Sequence, residues 1–305
     1  MLIYNIAMEI VRELREIPNL SLALGFFDGV HLGHQAVISS AVDFARENGL
    51  ESAIITFTEP PECYLKNESP TYILTHDEKY KFLESLGLDY IIELDFAPIS
   101  SLSPSEYLDL ICKYFKPKAI STGFNHKFGA NRAGDVKFLS DYQDKYNYVY
   151  FATPPLSIFG DMISSTNIKQ FIRTGVEDMA ASMLGRKFSV SGTVVKGREL
   201  GRTIGYPTAN IIYPLNIVEP PYGVYDVDVE LPDGTVKRGL ANYGVSPTVS
   251  NDNIAVLEVY ILDFSGDLYD KNIKVSFSNM IRPEMKFDSL DDLKLQISFD
   301  LQNII

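Results

Sequence analysis

Cysteine is nearly absent from this 305-residue chain. Cys63 and Cys112 are its two thiols, too few and too far apart in sequence to frame a disulfide scaffold, so reduced side chains without a redox role are expected. Histidine is almost as scarce, with four residues, and neither HExxH nor CxxC accompanies them, which leaves little for a dedicated metal centre. No apolar run reaches the roughly 18 residues that a bilayer span needs. The opening residues break early into charge, without a basic segment ahead of a long apolar core, so a secretion signal is not expected and the cytoplasm is. Basic side chains are outnumbered: 27 Lys and Arg against 40 Asp and Glu give a net charge of −13. That excludes the broad cationic footprint of a nucleic-acid binder but not a small anionic ligand held by a few local donors. Walker A and GxGxxG are missing too, so any nucleotide site must rest on other motifs.

What is present suits two soluble domains, since roughly 150 residues per domain is usual. Strands and helices alternate from residue 21 to about 185, with strands expected at 52–57, 89–94, 119–123 and 148–152. Thr75-His76-Asp77-Glu78 and Ser103-Pro104-Ser105-Glu106 have the capping-box form at two helix starts. Such alternation predicts a parallel, doubly wound sheet with ligands at the carboxyl ends of its strands. After Leu184-Gly185-Arg186 the texture becomes short β-rich runs, with Asp233-Gly234 as a hairpin turn and a last amphipathic helix after Ser289. A small antiparallel barrel follows from that pattern. A short helix at 176–184 is expected to join the two.

The densest chemistry lies in Leu24-Gly25-Phe26-Phe27-Asp28-Gly29-Val30-His31-Leu32-Gly33-His34-Gln35. Residues 21–27 suit a buried strand, and 35–47 carry apolar residues at helical spacing, so the histidines fall where strand hands over to helix. Unpaired N–H groups and the positive end of the helix dipole favour an anion there. Residues i and i+3 share a helix face, so both rings can address one ligand, and neutral imidazoles donate to phosphate oxygens without carrying a full charge. Two partly buried helix-cap histidines are the competing reading.

Ile163-Ser164-Ser165-Thr166-Asn167-Ile168-Lys169 opens a further helix, and its hydroxyls either cap that helix or hold phosphates. In the β-rich part, Lys196-Gly197 leads to Gly201-Arg202-Thr203-Ile204-Gly205-Tyr206-Pro207-Thr208-Ala209-Asn210. The glycines let backbone amides approach phosphates. Thr208 and Asn210, two apart in an extended segment, turn their oxygens to one side and can share a hard cation such as Mg²⁺; a Pro-Thr turn with a structural asparagine is the alternative. Glu258 interrupts the apolar run 255–262, where a carboxylate needs a partner or a task.

Together these segments resemble the prokaryotic bifunctional riboflavin kinase/FAD synthetase family. Residues 27–35 resemble the signature of its adenylyltransferase half, an HxGH nucleotidylyltransferase, and 163–169 its ISSTxxR motif with Lys169 in the arginine place. Gly123-Phe124-Asn125-His126-Lys127-Phe128-Gly129 resembles the family's GxDFRFG segment, with His126 at an aromatic position. Thr58-Glu59-Pro60-Pro61 stands where the family usually has a histidine. Residues 201–210 resemble the riboflavin kinase signature GxxxGRxLGxPTAN, and 267–270 and 281–287 also resemble the kinase half.

The resemblance implies an α/β plus all-β chain: a Rossmann-like FMN adenylyltransferase domain over 1–185 and a β-barrel riboflavin kinase domain with a C-terminal helix over 186–305. It implies phosphorylation of riboflavin by ATP to FMN, with Mg²⁺, and adenylylation of FMN by a second ATP to FAD, releasing pyrophosphate. His31 and His34 would be catalytic, with Gly25, Phe27, Asp28, Asn125, Ser164, Ser165, Thr166 and Lys169 around the adenylyl donor. In the kinase, Lys196, Gly197, Gly201, Gly205, Thr208 and Asn210 would bind ATP, Thr208 and Asn210 would hold the metal, Glu258 would be the base on the ribityl 5′-hydroxyl, and Arg282 and Phe287 would border the flavin. Riboflavin, FMN and ATP are the expected partners, with no nucleic acid and no membrane. Two rivals stay open: a kinase with a weakened adenylyltransferase half, suggested by Pro60, His126 and Lys169, and a flavin-binding regulator without turnover.

Overall fold

A computed structural model describes residues 8–66, 69–197, 199–246 and 254–304; residues 1–7, part of the opening read above for a leader, lie outside them. The described residues form two compact units, one holding the chain up to Thr71 and His76–Ser165, the other Tyr72–Thr75 and the chain from Thr166 onward.

The first unit is built on six parallel strands: β1 (Glu9–Val11), β2 (Leu20–Leu24), β3 (Glu51–Phe57), β4 (Tyr90–Leu94), β5 (Ala119–Gly123) and β6 (Val149–Thr153), in the order β1-β4-β3-β2-β5-β6. The central strands are buried on both faces, as a parallel sheet requires. Helix α1 (Leu32–Asn48) packs on β2, β3 and β5 through its buried Val37, Ile38, Ala41 and Val42. Leu22, Leu24, Ile55 and Ile120 meet Leu108 and Ile111 of a later helix, Pro104–Phe115, in one apolar cluster. That helix starts as its sequence dictates. Ser103 Oγ accepts from Glu106 N at 3.3 Å and Glu106 Oε2 accepts from Ser103 N at 2.8 Å, a reciprocal cap in which the serine alone contributes about 1 kcal/mol.

One expectation needs correcting. The strand anticipated at 21–27 ends at Leu24, and the chain does not pass straight into the helix. It turns through Phe27 (φ 58°), Gly29 (φ 73°) and Val30 (φ 40°) before α1 begins at Leu32. Apolar content alone could not reveal this, because Phe26 and Phe27 look like strand residues and owe their places to the turn.

The second unit is a closed antiparallel barrel of β7 (Ser189–Val195), β8 (Thr208–Ile212), β9 (Gly223–Glu230), β10 (Val236–Ser246), β11 (Ile254–Ile261) and β12 (Asn272–Pro283), in the order β7-β8-β11-β10-β9-β12. Tyr225, Val227, Tyr243, Leu257, Val259, Val275 and Phe277 fill its interior. Asp233-Gly234 makes the expected turn between β9 and β10, with Gly234 at φ 82°. The C-terminal helix Leu290–Gln302 is capped by Ser289, whose Oγ accepts from Asp292 N at 3.1 Å, and it sets Ile297 and Leu301 beside Val224 and Leu240. The anticipated helix at 176–184 forms as Glu177–Leu184 and packs on β12.

Candidate active sites

In the first unit a cleft of about 390 Å³ opens at the carboxyl ends of the strands. It is lined by Gly25, Phe27, His31, His34, Asn125, Ser164 and Ser165 among the anticipated residues. His31 is the N-cap of α1: its Nδ1 accepts from His34 N at 3.2 Å, so the ring carries its proton on Nε2. The two imidazoles stack with centroids 3.6 Å apart, and His34 meets Phe27 edge-on at 5.3 Å. The helix-cap reading and the ligand reading of His31 are thus compatible, one nitrogen serving the helix and the other facing away from that bond.

Burial, then the neighbouring His31 and Lys79, hold His34 well below the ordinary imidazole range. It is neutral near pH 7, and its Nδ1 has no protein partner. A side chain at Gly25 would place its Cβ 2.9 Å from the Phe27 ring, so glycine is required for the close approach there. Asp28 lies buried within the turn, and its backbone carbonyl accepts from Ser165 Oγ at 3.0 Å, tying the serine segment to the histidine segment. Thr166 and Lys169 lie farther along the helix Ser165–Arg173, in the second unit.

One residue of this cleft, and one bonded to the turn that borders it, were not singled out from sequence as site chemistry. His126 lines it with a buried, unpartnered Nε2, and burial followed by Arg132 lowers its pKa to about 4. Lys79 lies beneath the turn, donating from Nζ to the Phe26 carbonyl at 2.6 Å. No local pattern announces either role.

In the barrel unit a cleft of about 600 Å³ brings Arg202, Pro207 and Thr208 together with Asp267 and Tyr269. Lys196 Nζ stands 5.9 Å from the Tyr269 ring centroid. Gly205 takes φ 91° in the loop leading into β8. Asn210 is buried under Gly197, where an added Cβ would sit 2.6 Å from its amide. A side chain at 197 would therefore displace the asparagine. Asn210 stands directly opposite Glu258 on β11, and Glu258 opposite Asn242 on β10. Directly paired residues share a sheet face, so these three form a polar row on the outside of the barrel while Leu257 and Val259 point inward. Gly201 approaches the Tyr206 carbonyl in the same loop.

Phe287 lines a separate cleft of about 630 Å³ with Met285, Leu295 and Phe299. Arg282, anticipated as a flavin contact, is paired with Asp300. Its Nε lies 3.1 and 2.9 Å from the two carboxylate oxygens, and a terminal nitrogen 2.9 Å from Oδ2. Its guanidinium also faces the Phe287 ring at 5.7 Å.

A parallel α/β unit with an HxGH turn over a cleft, in one chain with a barrel whose PTAN strand faces a carboxylate, defines a two-domain nucleotide-dependent transferase. Residues 14–167 match the FAD synthetase family and 184–305 the riboflavin kinase family. The bifunctional riboflavin kinase/FMN adenylyltransferase of Listeria monocytogenes is 35% identical over 93% of this chain and 91% of that protein. That of Escherichia coli K12 is 36% identical over 94% of this chain and 95% of its own length. A crystal structure described as a macrolide-efflux protein from Streptococcus pneumoniae superposes with a TM-score of 0.87 at 33% identity, covering 96% of this chain and 97% of that one. Among the described residues here, no helix is long and apolar enough to cross a membrane. The chain belongs to the bifunctional riboflavin kinase/FMN adenylyltransferase family and is an enzyme with both catalytic domains.

Proposed function

We propose that this chain, acting in the cytoplasm, makes FAD from riboflavin in two steps, with 1–185 as the adenylyltransferase domain and 186–305 as the kinase domain. The observation that carries the reading is that two separate clefts, one in each unit, are lined by the two independent nucleotide motifs. Both steps are in-line attacks on phosphorus, where positioning and charge stabilisation supply most of the catalysis.

In the barrel, Glu258 accepts the proton of the ribityl 5′-hydroxyl as its oxygen attacks the γ-phosphorus of ATP, and ADP leaves. The loop glycines 197, 201 and 205 admit the phosphates to the backbone, with Lys196 beside them. Among the described residues no three His, Cys, Asp or Glu side chains form a metal centre of their own. Mg²⁺ does not need one, since it takes a few hard oxygens and completes its shell with water and substrate phosphates. The Thr208 hydroxyl and Asn210 amide, with the Glu258 carboxylate across the strand pair, fit that demand. Thr208 and Asn210 would hold the ion, which when bound would supply charge neutralisation for the phosphates. Phe287 borders the flavin, and Arg282 orients it.

In the first domain an FMN phosphate oxygen attacks the α-phosphorus of the second ATP, and pyrophosphate departs. His31, neutral with its proton on Nε2, donates a hydrogen bond to an oxygen on which charge builds, the neutral His34 ring packs against it and lines the same cleft, and Asn125, Ser164, Ser165, Thr166 and Lys169 bind the remaining phosphates. Gly25, Phe27 and Asp28 shape the turn that presents the histidines. Isotope tracing tests both steps: label from the γ-phosphate of ATP should arrive in FMN, and label from the α-phosphate in FAD. Transfer of γ-label alone would leave a kinase with a silent first domain, and transfer of neither would leave a binding protein.

A further inference from the structure

The polar floor beneath the HxGH turn lies outside every motif assigned above. Lys79, on the helix His76–Ser85, is 6% exposed. Its ammonium donates to the Phe26 carbonyl at 2.6 Å and to Thr56 Oγ1 at 3.3 Å, and Thr56 Oγ1 donates to the same carbonyl at 3.1 Å. The ammonium also stands 4.6 Å over the Phe26 ring. The carbonyl held this way opens the turn in which Phe27, Gly29 and Val30 all have positive φ. For a β-branched residue such as Val30 that conformation costs on the order of 1–3 kcal/mol and persists only where its surroundings over-determine it. Two donors on one carbonyl are such a determinant, and a buried ammonium is an expensive group to use for structure alone.

We propose that Lys79 is a positioning residue for adenylyl transfer, clamping the turn of residues 26–31 from below and acting on the imidazole of His34 through its charge. The proposal rests on the reading of the HxGH cleft as the adenylyl-transfer site. The groups around His34 are the stacked His31, the Asp28 backbone carbonyl that accepts from the ring and by itself would raise its pKa, Lys79 below, and His126, Lys127 and Arg132 along the same cleft. Those acting on Lys79 are Asp28 and Glu93, the latter held by Arg12 at 3.0 Å and by Tyr80. Burial lowers the Lys79 ammonium to about 8, against the pull of these two carboxylates. It is thus charged at neutral pH, and its charge is one of the causes that keep His34 unprotonated. A ring that stays neutral adds no further positive charge beside the pyrophosphate, which is then not held too tightly to leave.

Two substitutions in the full chain separate clamp from charge. Lys79→Met removes both, and Lys79→Gln keeps an amide donor without the charge. With FMN and ATP, Lys79→Met should slow pyrophosphate release about 10²-fold, chiefly in kcat, as a small misplacement of reacting groups does. Lys79→Gln should fall between it and the parent, and ADP release from riboflavin and ATP reports that each variant is folded. The discriminating readout is NMR titration of the imidazoles, with His34 assigned by comparison with His34→Gln. In both Lys79 variants the His34 midpoint should rise toward the ordinary value near 6.5, whereas a merely structural lysine would lower the rate and leave that midpoint in place. An unmoved midpoint, or a loss under about 3-fold in Lys79→Met, overturns the proposal. If the parent chain releases no pyrophosphate, the reading of the cleft fails, and the His34 titration still decides whether Lys79 acts through that ring.

Discussion

Replacing Arg282 by methionine should destabilise the barrel far more than a surface change would. Asp300 is 1% exposed, and the guanidinium reaches both of its oxygens at 2.9 to 3.1 Å. After Arg282→Met the carboxylate keeps one neutral donor, Gln296 Nε2 at 2.8 Å, which cannot compensate a buried charge. Removing one partner of a buried pair typically costs about 3–5 kcal/mol, much of it from the stranded charge. For a domain of this size that lowers the thermal midpoint by on the order of 10 °C. The chain has no tryptophan, so unfolding is best followed by far-ultraviolet circular dichroism in urea. Asp300→Leu and the double variant complete the cycle, and the double variant should recover most of the loss because no charge is left buried. The KM for riboflavin should rise in Arg282→Met, since Phe287 loses the guanidinium against its ring. If Arg282→Met unfolds within about 0.5 kcal/mol of the parent, the pair is not the buried lock described here, and a direct flavin contact becomes the better role for Arg282.

His34→Ala should cut pyrophosphate release from FMN and ATP about 10²-fold to 10³-fold, the usual loss for one preorganised active-site group, while ADP release from riboflavin and ATP stays near the parent value. Asn210→Ala and Glu258→Gln should show the converse, each lowering FMN formation by on the order of 10²-fold to 10⁴-fold with FAD synthesis from supplied FMN preserved; equal losses in both activities would remove the kinase roles given to them. His126 supplies a pH dependence whose sign is fixed. Its pKa is about 4 in the folded chain against 6.5 ordinarily, so the unfolded state binds the proton first and stability falls as pH drops from 6.5 toward 4. Urea titrations across that window should show His126→Phe with a flatter profile than the parent, and an unchanged slope would mean that the ring is solvated.

Much of the fold was legible because its signals are local. Alternating strands and helices, the reciprocal Ser103–Glu106 cap and the Asp233-Gly234 turn each involve residues a few positions apart, and the structure places them as read. The histidine pair was legible for the same reason. Lys79 was not: Thr75 to Glu78 announce where its helix begins, yet its partner is the carbonyl of Phe26, 53 residues away, and backbone oxygens leave no mark in a sequence. The pairing of Arg282 with Asp300 was not legible either, because Asp300 lies on a helix whose exposed Leu295 and Phe299 draw attention from its buried acid. Strand β1, three residues long, is too short for any periodicity to register.

The central claim, two nucleotide-dependent steps on one chain, is tested most directly by chromatography of the products formed when the intact protein meets riboflavin, excess ATP and Mg²⁺. FMN should appear first and decline as FAD accumulates, with one ADP and one pyrophosphate released for each FAD. Accumulation of FMN without FAD, or riboflavin recovered unchanged, would contradict it.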